Sequence, residues 1–189
     1  MDCIIEIRSY IEKNFSEKRK IHTDGVLETA LKLAEIYGEN PKKAEIAALF
    51  HDMYRGVSEN SLNYYVKHLG LEKKYINNAN LAHGKIAAII MERDFEVTDR
   101  DIINAVSYHT TGRAGMSTLE KIIYIADAVE PNRYYPGVEE IRAMAFEDLD
   151  KACYMSMKST ENFVKSAGKF LDPETVLARE YLENIINNK

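Results

Sequence analysis

The sequence predicts an all-α fold, a helical bundle of about ten helices, and three observations carry that expectation. Apolar residues recur at helical spacing almost throughout. β-branched alternation closed by Asn-Gly or Asp-Gly turns does not accumulate. Only four prolines interrupt 189 residues. Asp24-Gly25 is the one hairpin-like pair, and it sits inside a strong helical period.

The expected helices lie near 2–15, 17–37, 41–54, 59–69, 72–78, 83–93, 99–109, 118–129, 138–168 with a break near 147, and 174–187. Pro41 suits a first helical position. Ser117 followed by Glu120 reads as a capping box. Asp172-Pro173 pairs an N-cap with an N1 proline before the last helix. Gly38, Gly56, Gly70 and Gly168 follow apolar-periodic segments as stops, and Pro131 ends the run that contains Asp127. The length fits one domain, 1–189, with a sizeable core, and is too short for two ordinary ones. A net charge of −5 argues against a nucleic-acid partner, while leaving room for a small phosphorylated ligand bound by local cations. The first fifteen residues carry five charges and no apolar stretch, and no run approaches membrane-spanning length. The two cysteines, Cys3 and Cys153, form no metal-type or redox-type pair, which fits a reducing, cytoplasmic setting.

The candidate site follows from helical phase. His51 and Asp52 close the run 44–50, in which Ala44, Ala47, Ala48 and His51 share a stripe. A carboxylate at the end of such a buried stripe is costly unless a cation compensates it. His22 shares a face with Val26, Ala30, Leu33 and Tyr37; His109 with Ile102, Ala105 and Val106; and His83 precedes Ala87 and Ile90. Asp127 interrupts the apolar segment 122–129. Six ionisable side chains thus point toward helix–helix interiors, which is how metal sites are built in bundles. Any one of them reads as easily as a satisfied core group; the set of six favours a site. His68, at a helix end, reads as a surface residue.

The order His22, His51-Asp52, Asp127 resembles the defining pattern of the HD phosphohydrolase superfamily. The stretches 19–23, 47–52, His83-Gly84, 108–112 and 125–133 are similar to its YqeK-type branch, whose members hydrolyse symmetrical dinucleoside tetraphosphates such as diadenosine tetraphosphate to two ADP. The resemblance covers essentially the whole chain. It implies metal ligation by His22, His51, Asp52 and Asp127, with iron as the cofactor and Mn, Co or Zn as alternatives suited to mixed imidazole and carboxylate ligands. It implies that His83 and His109 either hold a second metal or touch the phosphates, with Asp52 as the natural bridge. Asp52, His83 and His109 then take catalytic roles.

Arg55 and Arg133 are the expected phosphate clamps, Arg55 standing where many relatives have lysine. Gly56, Thr110 and Phe170 join His83 and His109 in the expected substrate-binding set, Phe170 as a base-stacking ring. Lys85 and Thr111 are weaker candidates for phosphate contacts. The expected partners are the nucleotide substrate and its ADP- or GDP-like products, with a homodimer implied by the resemblance. Three alternatives stand beside this reading: another nucleotide or cyclic-nucleotide phosphohydrolase of the superfamily, a non-catalytic nucleotide-sensing HD module, and an oxygenase on the same helical site.

Overall fold

Ala44, Ala47 and Ala48 expose no surface, so the helix that carries them can be approached closely along that stripe. The computed structural model, which describes residues 3–188, places that helix at the centre of the bundle. The elements are α1 (Cys3–Asn14), α2 (Glu17–Tyr37), α3 (Pro41–Phe50), α4 (Glu59–His68), α5 (Ala79–Asp94), α6 (Arg100–Tyr108), α7 (Thr118–Val129), α8 (Val138–Ala145), α9 (Leu149–Ser166) and α10 (Pro173–Asn187). No strand occurs among the described residues. The α3 helix packs on α1, α2, α5, α6 and α7; α7 in turn bridges to α8 and α9, and α10 lies on α9.

Local chemistry sets most of the boundaries. Asn40 caps α3 through Lys42 N at 2.9 Å, with Pro41 in the first turn. Ser117 and Glu120 form both halves of a capping box on α7. Asp172 caps α10 through Glu174 N at 3.0 Å. Gly38 ends α2 at φ 68°, a left-handed conformation that favours glycine. The long segment 138–168 breaks at residues 146–148, where Asp148 accepts from Lys151 N and starts α9.

Three boundaries differ from the sequence expectation. Residues 72–78 form only a short 3₁₀ turn at 73–75, because Asn77 sits at φ 57° and its backbone and side chain are held by Asn63 at 2.9 and 2.7 Å. The α5 helix starts at Ala79 instead of 83, with no side-chain cap at Asn78 to announce it. The α3 helix stops at Phe50 instead of 54: beyond it, Met53 N bonds to Phe50 O and Arg55 N to Asp52 O, a tighter winding than the α-helix. That tightening sets His51 and Asp52 at the helix end instead of within a regular turn. The expected first-helix start at residue 2 lies outside the described residues.

Candidate metal centre and adjoining cleft

His22 on α2, His51 and Asp52 after α3, His83 on α5, His109 after α6 and Asp127 on α7 converge on one point of the bundle. They form two groups that share Asp52. In the first, His22 Nε2 lies 3.4 Å from His51 Nε2, 3.4 Å from Asp52 Oδ2 and 3.1 Å from Asp127 Oδ1. In the second, Asp52 Oδ1 lies 3.1 Å from His83 Nε2, which is 2.9 Å from His109 Nε2. His51, Asp52, His83 and His109 are buried.

The nitrogen chemistry of this cluster fits a cation. His51 Nδ1 faces Ala48 O at 2.7 Å, His83 Nδ1 faces Ala79 O at 3.0 Å and His109 Nδ1 faces Val106 O at 2.7 Å. A carbonyl only accepts, so each Nδ1 carries a proton and each ring turns its Nε2, the atom able to ligate a cation, inward. The 2.9 Å contact between the His83 and His109 Nε2 atoms is closed either by a proton between them or by a cation that takes both lone pairs, and two carboxylates in one buried cluster likewise call for positive charge. The residues therefore fit a metal, with Asp52 offering one oxygen to each group.

His22 is oriented differently. Its Nδ1 lies 3.2 Å from Glu130 Oε1, and Glu130 is buried. The other Glu130 oxygen accepts from Asn132 N at 2.7 Å and Asn132 Nδ2 at 3.0 Å. The carboxylate fits because residue 25 is glycine: a Cβ there would lie 2.5 Å from Glu130 Oε2. Gly84 makes a similar allowance, since a Cβ on it would stand 2.8 Å from His109 Cε1. Outer carboxylates of this kind set a ligand's tautomer and basicity. Glu130→Ala is expected to weaken metal binding by roughly 10–100-fold, read by competition against a chelator, with the helical signal unchanged.

Electrostatics sharpen the picture. Burial alone would raise the Asp52 carboxyl, but the imidazoles of His51, His22 and His83 hold it well below the ordinary carboxylate range. Burial opposes ionisation of Asp127 too, and His22 and Arg133 overcome it. Burial would lower His22, yet its bonds to Asp127 and Asp52 raise it to about 9. Burial, then the neighbouring His83 and His51, push His109 down to about 3. Without metal, His22 is therefore protonated at neutral pH, and an ion must displace that proton. Metal affinity is expected to fall by about tenfold per unit as pH drops below 9, with proton release on binding, measured by calorimetry in buffers of different ionisation enthalpy.

The cluster floors a cleft of about 1040 Å³ whose rim carries Lys18, Arg19, Arg55 and Arg133. This local excess of cations runs against the chain's net negative charge. Arg133 donates through Nε to Asp127 O at 2.8 Å, and its guanidinium also reaches the Asp127 carboxylate. Arg19 donates to Asp52 Oδ2. Thr110 Oγ1 is 3.2 Å from His109 Nε2, at the same wall.

Not every expected residue reaches this cleft. Gly56 and Phe170 are exposed and neither is among its lining residues; Phe163 on α9 is. Lys85 is buried, with Nζ 3.3 Å from the Tyr108 ring centroid and 3.5 Å from Glu174 Oε2, so its charge serves the packing of α10. Thr111 donates to Gly112 O inside the turn after α6. His68 is exposed and stacks on Tyr64. Sequence reasoning gave no role to Arg19 or Glu130, although each lies three residues from an expected ligand, Arg19 before His22 and Glu130 after Asp127, the spacing at which helical residues share a face.

Comparison with known proteins agrees with this geometry. The bis(5′-nucleosyl)-tetraphosphatase, symmetrical, of Bacillus subtilis is 39% identical over 178 residues, 94% of this chain and 96% of that protein. The protein of the same name from Halalkalibacterium halodurans is 36% identical over 88% of this chain and 89% of its own length. A crystal structure described as a predicted HD superfamily hydrolase involved in NAD metabolism, from Clostridium acetobutylicum, superposes with a TM-score of 0.89 at 42% identity, covering 97% of each chain. The HD domain family matches residues 19–132, a span that holds all six converging side chains. The chain belongs to the HD domain family.

Proposed function

We propose that this protein is a metal-dependent hydrolase that cleaves dinucleoside tetraphosphates, diadenosine tetraphosphate foremost, at the central anhydride to give two nucleoside diphosphates. The observation that carries this reading is Asp52 facing two histidine groups at once, under a rim of three arginines and a lysine. The relatives whose names state that activity align over nearly the whole chain. Iron is the proposed metal, with Mn, Co and Zn as alternatives. Bound there, a metal supplies Lewis acidity and lowers the pKa of coordinated water toward neutrality.

The chain's own residues do the rest. His83 and His109, each anchored through Nδ1 to a helix carbonyl, present Nε2 to the reacting region. Arg55 and Arg133 pair with non-bridging phosphate oxygens, and Arg19, beside Asp52, adds a third guanidinium. Thr110 donates to a phosphate oxygen beside His109. Water adds to one of the two central phosphorus atoms, the bridging P–O bond breaks, and the departing diphosphate takes a proton, so that both products are nucleoside diphosphates. Positive charge on both sides of the bridge favours a central cut over an end cut, since developing charge on the leaving oxygen is then neutralised.

The protein as a whole is proposed to act as one domain, 1–189, in the cytoplasm and as a homodimer, with the nucleotide as its ligand and no nucleic acid. No described helix is long and apolar enough to cross a membrane. The test is metal analysis of purified protein beside product analysis on a panel that includes diadenosine tetraphosphate and, given the Clostridium relative's description, NAD. Two equal ADP molecules per substrate support the proposal. AMP plus ATP, or turnover of NAD alone, rejects it.

A further inference from the structure

Next to the polar cleft lies a second cavity, of about 530 Å³, between α7 and α9. It shares His109, Asp127, Arg133 and Phe163 with the cleft, so the two open into each other at the metal cluster. Its chemistry is different. Tyr135, Pro136 and Phe163 provide apolar and aromatic walls. Phe163 is a large ring 62% exposed, with Lys169 Nζ 5.5 Å from its centroid. The remaining polar groups include the hydroxyls of Thr110, Tyr124, Ser156, Ser159 and Thr160, with Thr110 and Thr160 also lining the cleft. Tyr124 hydrogen-bonds Ser156 and Thr160, and a hydroxyl in one such bond still has a donor or a lone pair to turn toward a ligand. Away from the metal end, no carboxylate, amide or ammonium side chain lines this cavity.

We infer that this cavity receives the nucleoside at one end of the substrate and reads its base through hydroxyls alone, so that adenine and guanine are accepted alike. The inference rests on the phosphohydrolase reading of the adjoining cleft. A nucleotide whose phosphates lie against His109, Asp127 and Arg133 has its nucleoside within reach of the shared opening. The base, flat and mostly apolar on its faces, stacks on Phe163 at the mouth. Its edge meets Ser156, Ser159 and Thr160. Adenine presents a donor where guanine presents an acceptor, and guanine a donor where adenine presents an acceptor. A fixed carboxylate or amide would tell these apart, because the wrong base would leave a buried polar group unpaired. A hydroxyl rotates and both donates and accepts, so the same three groups satisfy either edge. The pattern is legible along α9, where residues 156, 159, 160 and 163 fall on one helical face.

The test is calorimetric titration of the metal-loaded protein with ADP, GDP and inorganic diphosphate. Wild type is expected to bind ADP and GDP within about threefold of each other and both more tightly than diphosphate. Phe163→Ala, at an exposed position, is expected to weaken ADP and GDP by about tenfold, as for loss of one base–aromatic stack, and to leave diphosphate binding unchanged. Thr160→Val keeps the shape, removes a hydroxyl and should weaken both nucleotides by a similar factor. The inference is overturned if Phe163→Ala leaves ADP unchanged, if it weakens diphosphate equally, or if wild type separates ADP from GDP by more than about tenfold. Protein that binds ADP as expected but leaves diadenosine tetraphosphate uncut keeps the cavity assignment and loses the hydrolase reading. Protein that cuts the substrate while Phe163→Ala leaves nucleotide binding untouched does the reverse.

Discussion

Asp52→Ala is expected to remove metal and hydrolysis together. Among the described residues Asp52 is the side chain common to both groups: Oδ2 looks toward His22 and His51, Oδ1 toward His83. Its loss leaves imidazole lone pairs crowded without the bridging negative charge that makes a dication stable among them. A Lewis acid contributes several kcal/mol to this kind of transition state, so the rate should fall by at least ~10³-fold. The change removes a buried carboxylate that its neighbours hold ionised, so the folded chain should survive it; circular dichroism separates loss of metal from loss of fold. Metal content and turnover both at wild-type levels in this variant would sink the assignment of the centre.

His109→Ala is expected to act on one group only. Its Nε2 sits 2.9 Å from His83 and belongs with Asp52 Oδ1, while His22 and His51 face Oδ2 and Asp127 joins them through His22. The variant should lose metal at the second group, keep it at the first, and slow turnover by roughly 10²-fold or more. Metal counting per chain is the direct measurement. If all metal leaves together, His109 supports both groups and the division into two is wrong.

The bundle and the convergence of six side chains are readable in the sequence because both depend on periodicity. Stripes such as 44, 47, 48 and 51 say which face of a helix is inward, and that is enough to predict that His51 points into the core. What the sequence hides depends on approach between elements. Glu130 reads as a charge before a proline; its meeting with His22 crosses from α7 to α2 and needs the absent side chain of Gly25. Lys85 reads as a phosphate ligand near His83, but helical phase turns it to the opposite side, where Tyr108 and Glu174 take its charge. Phe170 and Phe163 are both aromatic residues near the end of α9; only the bend of the chain after Ser166 decides which one meets the cavity. Asn77 marks a local failure of another kind, a backbone conformation with positive φ inside a helix-forming composition.

Three of the imidazoles are aimed by carbonyls of their own helices, three or four residues back: Ala48 for His51, Ala79 for His83 and Val106 for His109. Their aim is thus set by local winding, before any ion arrives. A cage preset in this way spends little on rearrangement and does not adapt its shape to the guest. First-row divalent ions differ little in size, and such a donor set holds several of them tightly. Which ion occupies it then follows supply: protein grown on iron-poor, manganese-rich medium should emerge carrying manganese, and exchange with the surrounding pool should rewrite both its metal content and its turnover number without any change in the polypeptide.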